Sequence, residues 1–113
     1  MTQEKIAAAG RCFFSFLLVF FYIGVTQARA DAAQLYKAKC AVCHGAEGKG
    51  DSPVGKKLGA RDLGSPEVQK RSDEDLIEAV TKGKNKMPAY GKTLKEDEIK
   101  GIVSYIRELA KKK

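Results

Sequence analysis

The 113-residue chain has no tryptophan, one histidine, three cysteines and three prolines. A single imidazole excludes the paired histidines of a Cys2His2 zinc site, because structural zinc takes four ligands. After residue 30 only Cys40 and Cys43 remain, too close in sequence to staple a small domain as a disulfide. No run alternates apolar and polar residues in the way that makes a half-buried strand. The βαβ setting expected of a thioredoxin-like dithiol is therefore missing. No basic helix carries interleaved aromatics, so the net charge of +7 does not read as a nucleic-acid footprint. There is no internal repeat, and nothing of low complexity beyond the Lys111-Lys112-Lys113 tail.

What is present begins with a leader. Lys5 and Arg11 precede an apolar run from Cys12 to Val25 that is broken only by Ser15, and Ala28-Arg29-Ala30 follows. Positive charge, apolar run and small residues come in the order of a secretory signal peptide. Residues 1–30 are expected to be removed after Ala30, leaving a domain at residues 31–113. An uncut membrane anchor is the alternative, but about fourteen apolar residues fall short of the about 20 that a span wants. Cys12 stands at the front of the run, where a lipid-modified cysteine would have to follow it. Lys5, Arg11 and Arg29 against Glu4 put +2 in the leader, so +5 of the chain's +7 stays with the domain.

Helical periodicity is clearest at the end of the chain. Ile99, Ile102, Val103, Ile106 and Ala110 recur at spacings of three and four, with Leu109 beside them. Thr93 and Glu96 read as a T-x-x-E capping box at its start. A second helix is expected over 73–82. Ser72 is its N-cap, acidic residues fill its first turn, Leu76, Ile77 and Val80 face inward, and Gly83 stops it. A third runs from Ala32 into Cys40, and a short turn starts at Ser65-Pro66. Long loops lie at 45–64 and 83–92. Such loops in a small domain are expected to do something, here to wrap a cofactor. The expected fold class is all-α, with three to five short helices.

Cys40-Ala41-Val42-Cys43-His44 is a C-x-x-C-H motif, the signature of c-type haem attachment. Two thiols bond the two vinyl groups of one macrocycle, and the next residue offers its imidazole to the iron. His44 is the sole histidine, and a dithiol reading leaves it unexplained. A six-coordinate iron needs a second axial ligand. Met87 is the only methionine after residue 30, and Pro88 biases its backbone to an extended form. As a core filler it would be oddly placed in a lysine-rich loop. Lys84, Lys86 and Lys92 are the fallback ligands.

Taken in order, these motifs resemble the class I monohaem c-type cytochromes, above all the short bacterial ones, over nearly all of residues 31–113. The resemblance runs through Cys40-Ala41-Val42-Cys43-His44-Gly45, Ser52-Pro53-Val54-Gly55-Lys56-Lys57-Leu58-Gly59, Lys86-Met87-Pro88-Ala89-Tyr90 and Ile102-Val103-Ser104-Tyr105-Ile106-Arg107. It implies the cytochrome c fold around one covalent haem c. The N-terminal helix should cross the C-terminal one near Ala32, with Tyr36 and Tyr105 packed there. Pro53 should offer its carbonyl to the second ring nitrogen of His44. Lacking tryptophan, the chain has no Trp hydrogen bond for a haem propionate; Tyr90, Arg61, Lys57 or backbone amides are the candidates.

The implied function is single-electron transfer by a soluble, monomeric periplasmic carrier with His44 and Met87 on the iron, and not an enzyme, since no distal histidine exists. Cofactor-binding residues are then Cys40, Cys43, His44, Pro53 and Met87. Lysines on the two loops would steer it to redox partners with acidic docking surfaces. The alternatives are an electron-transfer subunit of a larger oxidase or dehydrogenase complex, and a haem-based ligand-binding sensor with Met87 off the iron.

Overall fold

A computed structural model describes residues 27–112. Its contacts divide the chain into Met1–Ala30 and Asp31–Lys113. The expected signal peptide lies almost wholly outside the described residues. Among those described, six helices occur and no strand: α1 over residues 27–39, α2 Ala41–His44, α3 Pro53–Leu58, α4 Pro66–Gln69, α5 Asp73–Lys82 and α6 Glu96–Lys111. None is long and apolar enough to cross a membrane. The all-α expectation holds, with more helices than the three to five foreseen. The motif itself folds as α2, and the loop expected at 45–64 contains α3.

α6 is the spine of the core. Ile99, Ile102, Val103, Ile106 and Leu109 are buried along one stripe, each such side chain worth about 1.5–3 kcal/mol when fully covered. Ala110 ends up half-buried instead. Leu76 and Val80 of α5 pack against this stripe, as does Tyr36 of α1. Tyr36 and Tyr105 meet with ring centroids 5.1 Å apart and planes tilted by 53°. Ala32 is buried, and a Cβ on Gly101 would stand 3.4 Å from that of Ala32. Two small residues therefore face each other where α1 meets α6.

Most helix starts follow local chemistry. The hydroxyls of Ser52, Ser65 and Ser72 accept from the N–H groups of Gly55, Val68 and Asp75 at 2.9, 3.4 and 3.1 Å. Proline occupies the first position of both α3 and α4, where its missing N–H costs nothing. The start of α6 differs from the expected Thr93/Glu96 box. Thr93 and Leu94 both donate back to the Tyr90 carbonyl at 3.0 and 2.9 Å, so the chain is still turning there. The helix begins two residues later, and Glu98 Oε2 accepts from the Lys95 N–H at 2.8 Å.

Arg107 joins α6 to the elbow between α4 and α5. Its Nε and Nη2 donate to Asp73 Oδ1 at 3.0 and 2.8 Å. Nη1 reaches the Gln69 carbonyl at 3.0 Å, and Nη2 the Arg71 carbonyl at 2.6 Å. Lys70 and Arg71 N–H close the last turn of α4 on the Pro66 and Val68 carbonyls at 3.0 and 3.1 Å, and Arg107 fixes the elbow from the α6 side.

α3 lies directly on α2. A Cβ on Gly55 would come within 1.9 Å of the Cys43 carbonyl oxygen, so only glycine fits. Overpacking of this kind costs about 1–3 kcal/mol. Each kcal/mol moves the melting point of a domain this size by about 4–8 °C. Gly55→Ala is therefore expected to lower the melting temperature of the purified protein by at least about 4–8 °C, read by circular dichroism. An unchanged melting curve would mean that α3 does not rest on Cys43.

Candidate haem site

The C-x-x-C-H motif is a single helical turn. His44 N–H donates to the Cys40 carbonyl at 2.9 Å, and Gly45 N–H to that of Ala41 at 2.8 Å. Cys40, Cys43 and His44 are thus related as i, i+3 and i+4 and share a face. That face lines a cavity, while Val42 between them is 59% exposed. The rest of the wall is mainly apolar, including Leu63, Val68, Leu76, Val80, Ile102 and Ile106.

Neighbouring segments hold the turn from outside. Ser52 Oγ lies 2.8 and 3.0 Å from the Val42 and Cys43 carbonyls, with one proton to share between them. Gly50 N–H donates to the His44 carbonyl at 2.7 Å. Tyr36 Oη donates to the Gly45 carbonyl at 2.7 Å, and burial raises its hydroxyl pKa well above the usual tyrosine value.

The orientation of the imidazole is set by a carbonyl, but not the expected one. His44 Nδ1 sits 3.1 Å from the carbonyl of Arg61. A carbonyl only accepts, so Nδ1 is the donor of this bond; in the neutral imidazole that leaves the lone pair on Nε2, the form that ligates a metal. Pro53 is the first residue of α3, where its carbonyl enters the helical ladder, and it does not line the cavity. The role given to Pro53 from resemblance belongs here to Arg61. No sequence signal singled out the Arg61 backbone, because the feature is a carbonyl and every residue has one.

Met87 reaches the same cavity from the loop after α5. Lys84 and Met87 exchange backbone hydrogen bonds at 3.2 and 2.9 Å around a tight turn with Asn85 at φ +53°. Lys84 and Met87 thereby form an isolated antiparallel bridge. Gly83 turns the chain at φ +72°; a Cβ there would stand 2.6 Å from the Met87 carbonyl oxygen. Beyond Met87, Tyr90 and Gly91 donate to the Val80 and Thr81 carbonyls, both at 3.0 Å. Tyr90 Oη donates to the Lys39 carbonyl at 3.0 Å, tying the loop to the end of α1.

The donor set fits an iron macrocycle better than a bare ion. Among the described residues, no three histidine, cysteine or acidic side chains cluster in a way that could hold a metal. A porphyrin brings four nitrogens of its own and asks the protein for axial ligands only. Cys40 and Cys43 are free thiols. Burial first, and then the charge of Cys43, push the Cys40 thiol up to about 11. Redox-active dithiols do the opposite and hold a lowered pKa. The Cys40 thiol thus lacks the lowered pKa of such dithiols.

Of the lysines assigned to the loops, Lys84 and Lys86 line the cavity, whereas Lys49, Lys56, Lys57, Lys82 and Lys92 do not. Lys49 pairs with Glu47 at 2.9 Å and Lys82 with Glu78 at 2.7 Å. Lys39 and Arg71, which the sequence did not single out, also line the cavity.

Comparison with known proteins agrees with this geometry. Residues 27–106 match the family model described as cytochrome C oxidase, cbb3-type, subunit III. The chain is 35% identical over 82 residues to cytochrome c6 of Microcystis aeruginosa, covering 73% of this chain and 98% of that one. It is 32% identical over 88 residues to the cbb3-type cytochrome c oxidase subunit FixP of Azorhizobium caulinodans, covering 76% of this chain and 29% of that one. Among solved structures it is similar to the KustC0563 c-type cytochrome, with a TM-score of 0.64 and 34% identity over 69% of this chain and 95% of that one. The motif turn, the apolar cavity and these likenesses agree: the chain belongs to the monohaem c-type cytochromes, with one covalently attached haem c, and carries electrons.

Proposed function

We propose that the protein is an exported single-electron carrier in which Cys40 and Cys43 form the thioethers and His44 and Met87 are the axial ligands. The observation that carries this reading is the delivery of His44 and Met87 to one cavity from separate elements. One is the sole imidazole of the chain and the other the only thioether after residue 30. The haem supplies an iron that changes oxidation state by one electron. The protein's work is to hold and tune it.

Each residue has a distinct task in that work. The two thioethers fix the ring against α2. The Arg61 carbonyl keeps His44 in the tautomer whose Nε2 is free to ligate. Met87 offers a thioether, which raises the reduction potential relative to two nitrogen ligands. The apolar wall keeps water from the ring. Among the described residues that line the cavity there is no carboxylate and no second histidine, so none of them supplies a distal acid–base pair for peroxidase-like chemistry. Pro53 remains, on this reading, a turn-setting residue of α3 with no ligand role.

A free carrier is favoured over a subunit of an oxidase by the extent of the likenesses. The similarity takes in nearly all of the Microcystis cytochrome c6 and under a third of FixP. The oxidase reading has its own support in the description of the matching family model. The leader read over residues 1–30 supports a site of action in the periplasm. The exposed Lys39, Lys84 and Lys86 at the cavity give an acidic redox partner a docking surface of opposite charge.

Two measurements test the reading. In Met87→Ala the methionine–iron charge-transfer band is expected to disappear, and the reduced protein should bind carbon monoxide rapidly. The oxidised-to-reduced ratio at fixed poise should rise at least tenfold, about 59 mV for one electron. Rapid carbon monoxide binding by the unaltered reduced protein would instead put Met87 off the iron. Removing thirty residues from 113 leaves 83. Mass spectrometry of protein recovered from the periplasm is expected to show residues 31–113 plus one haem. A mass that retains the leader would support an anchored form.

A further inference from the structure

The haem cavity is basic wherever it is charged. Lys39, Arg61, Arg71, Lys84 and Lys86 line it, and among the described residues no aspartate or glutamate does. Four of these cations are exposed, and Arg61 is paired with Glu67 at 2.5 Å. Arg71 alone is half-buried, and within the described residues its guanidinium makes no hydrogen bond or ion pair.

Its surroundings explain why. Asp73, the carboxylate nearest along the chain, is taken by Arg107, which donates to it at 3.0 and 2.8 Å. The same Arg107 holds the Arg71 carbonyl at 2.6 Å, so the backbone of Arg71 is fixed while its side chain is left unpaired. On the outer side Arg71 borders a cleft with Asp75, Glu78, Lys82 and Lys84. Glu78 is bonded to Lys82 at 2.7 Å. Asp75 is exposed in the first turn of α5, where the helix dipole already favours its charge. His44 and Tyr90 are the remaining titratable groups of the cavity besides the two cysteines, and each has its hydrogen-bond partner.

A half-buried guanidinium in a mainly apolar wall is costly without an anion. The covalent haem brings two carboxylates into this cavity. We propose that Arg71 holds a haem propionate through a bidentate guanidinium–carboxylate pair, the role that a tryptophan-free chain leaves open. Arg107 is then a positioning residue, since it removes the competing carboxylate and pins the elbow that carries Arg71. An arginine fork suits a planar carboxylate better than a lysine ammonium does.

The pair has a consequence for the potential. An ionised propionate favours ferric iron, and an adjacent guanidinium offsets that charge and keeps the propionate ionised to low pH. With Arg71 present the potential should be level between about pH 5 and 8, where carboxylates paired in this way stay ionised. Without it the propionate titrates in that window, and the potential falls as pH rises.

The test uses haem-loaded protein, with the midpoint potential measured across that pH range for the unaltered chain, Arg71→Gln, Arg71→Lys and Lys49→Gln. Arg71→Gln is expected to develop a falling profile. Near neutrality its oxidised-to-reduced ratio at fixed poise should rise about threefold, roughly 28 mV at 59 mV per decade. Arg71→Lys should restore most of that shift because it keeps the charge. Lys49→Gln, which removes a cation that pairs with Glu47 away from the cavity, should keep the parent profile. Redox-difference infrared spectra of the unaltered protein should show no protonated propionate in the window, a readout that needs no variant to fold. A protonated propionate band there, an Arg71→Gln profile equal to the parent's, or a full-sized effect from Lys49→Gln would each overturn the assignment.

Discussion

Cys40, Cys43 and His44 share one face because spacings of three and four match the helical repeat. A single turn does not hold itself in water, since helix nucleation fixes several residues for one hydrogen bond. The rest of the domain supplies what the turn lacks. α1 runs into it through the bond from Cys40 N–H to the Tyr36 carbonyl. Ser52, Gly50 and Tyr36 take up the carbonyls of Val42, Cys43, His44 and Gly45. Gly55 lets α3 lie against the turn without a Cβ in the way. Much of the segment from Gly45 to Arg61 thus serves one purpose, the fixed direction of two thiols and one imidazole.

The Met87 side is built differently. Its loop is closed by backbone bonds to Lys84 and to the Val80 and Thr81 carbonyls, and by the single side-chain bond from Tyr90 to Lys39. Gly83 permits the return of the chain over the end of α5. With both ligands held from separate elements, as proposed, an electron can arrive or leave with little movement of protein atoms. Slow rearrangement is then absent from the transfer step, and the potential is left to burial, ligand type and nearby charge.

The parts of the fold that were legible in the sequence are those decided by local chemistry. The apolar stripe of α6, the Ser72 cap and Gly83 stop of α5, and the Ser65-Pro66 start of α4 all stand as read. Ser52-Pro53 carries the same signal as Ser65-Pro66, and α3 could have been read from it. The start of α6 was misplaced because Thr93 is occupied by a turn closing on Tyr90, a tertiary demand that overrides the box pattern. The site divides in the same way. Cys40, Cys43, His44 and Met87 were visible because they are the rare residues of the chain. The carbonyl partner of His44 was not, since it depends on where a backbone lands. Arg71 was hidden among 21 lysines and arginines until burial and pairing set it apart.

That division among the cations matters because charge does two jobs at one cavity. Opposite unit charges about 4 Å apart interact with roughly 1 kcal/mol in water, but with about 4 kcal/mol at the effective dielectric of a protein surface site. A half-buried guanidinium therefore acts strongly on whatever carboxylate sits beside it, and weakly on a protein still approaching. Exposed ammonium groups such as Lys84 and Lys86 do the reverse. Their fields extend into solvent and are screened over about 8 Å at physiological salt, which suits encounter and release and not tight pairing. On the assignments proposed, exposure more than residue type sorts the basic groups into one that would stabilise the cofactor and several that would attract partners. This lets a chain of modest positive charge offset the acid groups of its haem without losing the surface field that guides it to a redox partner.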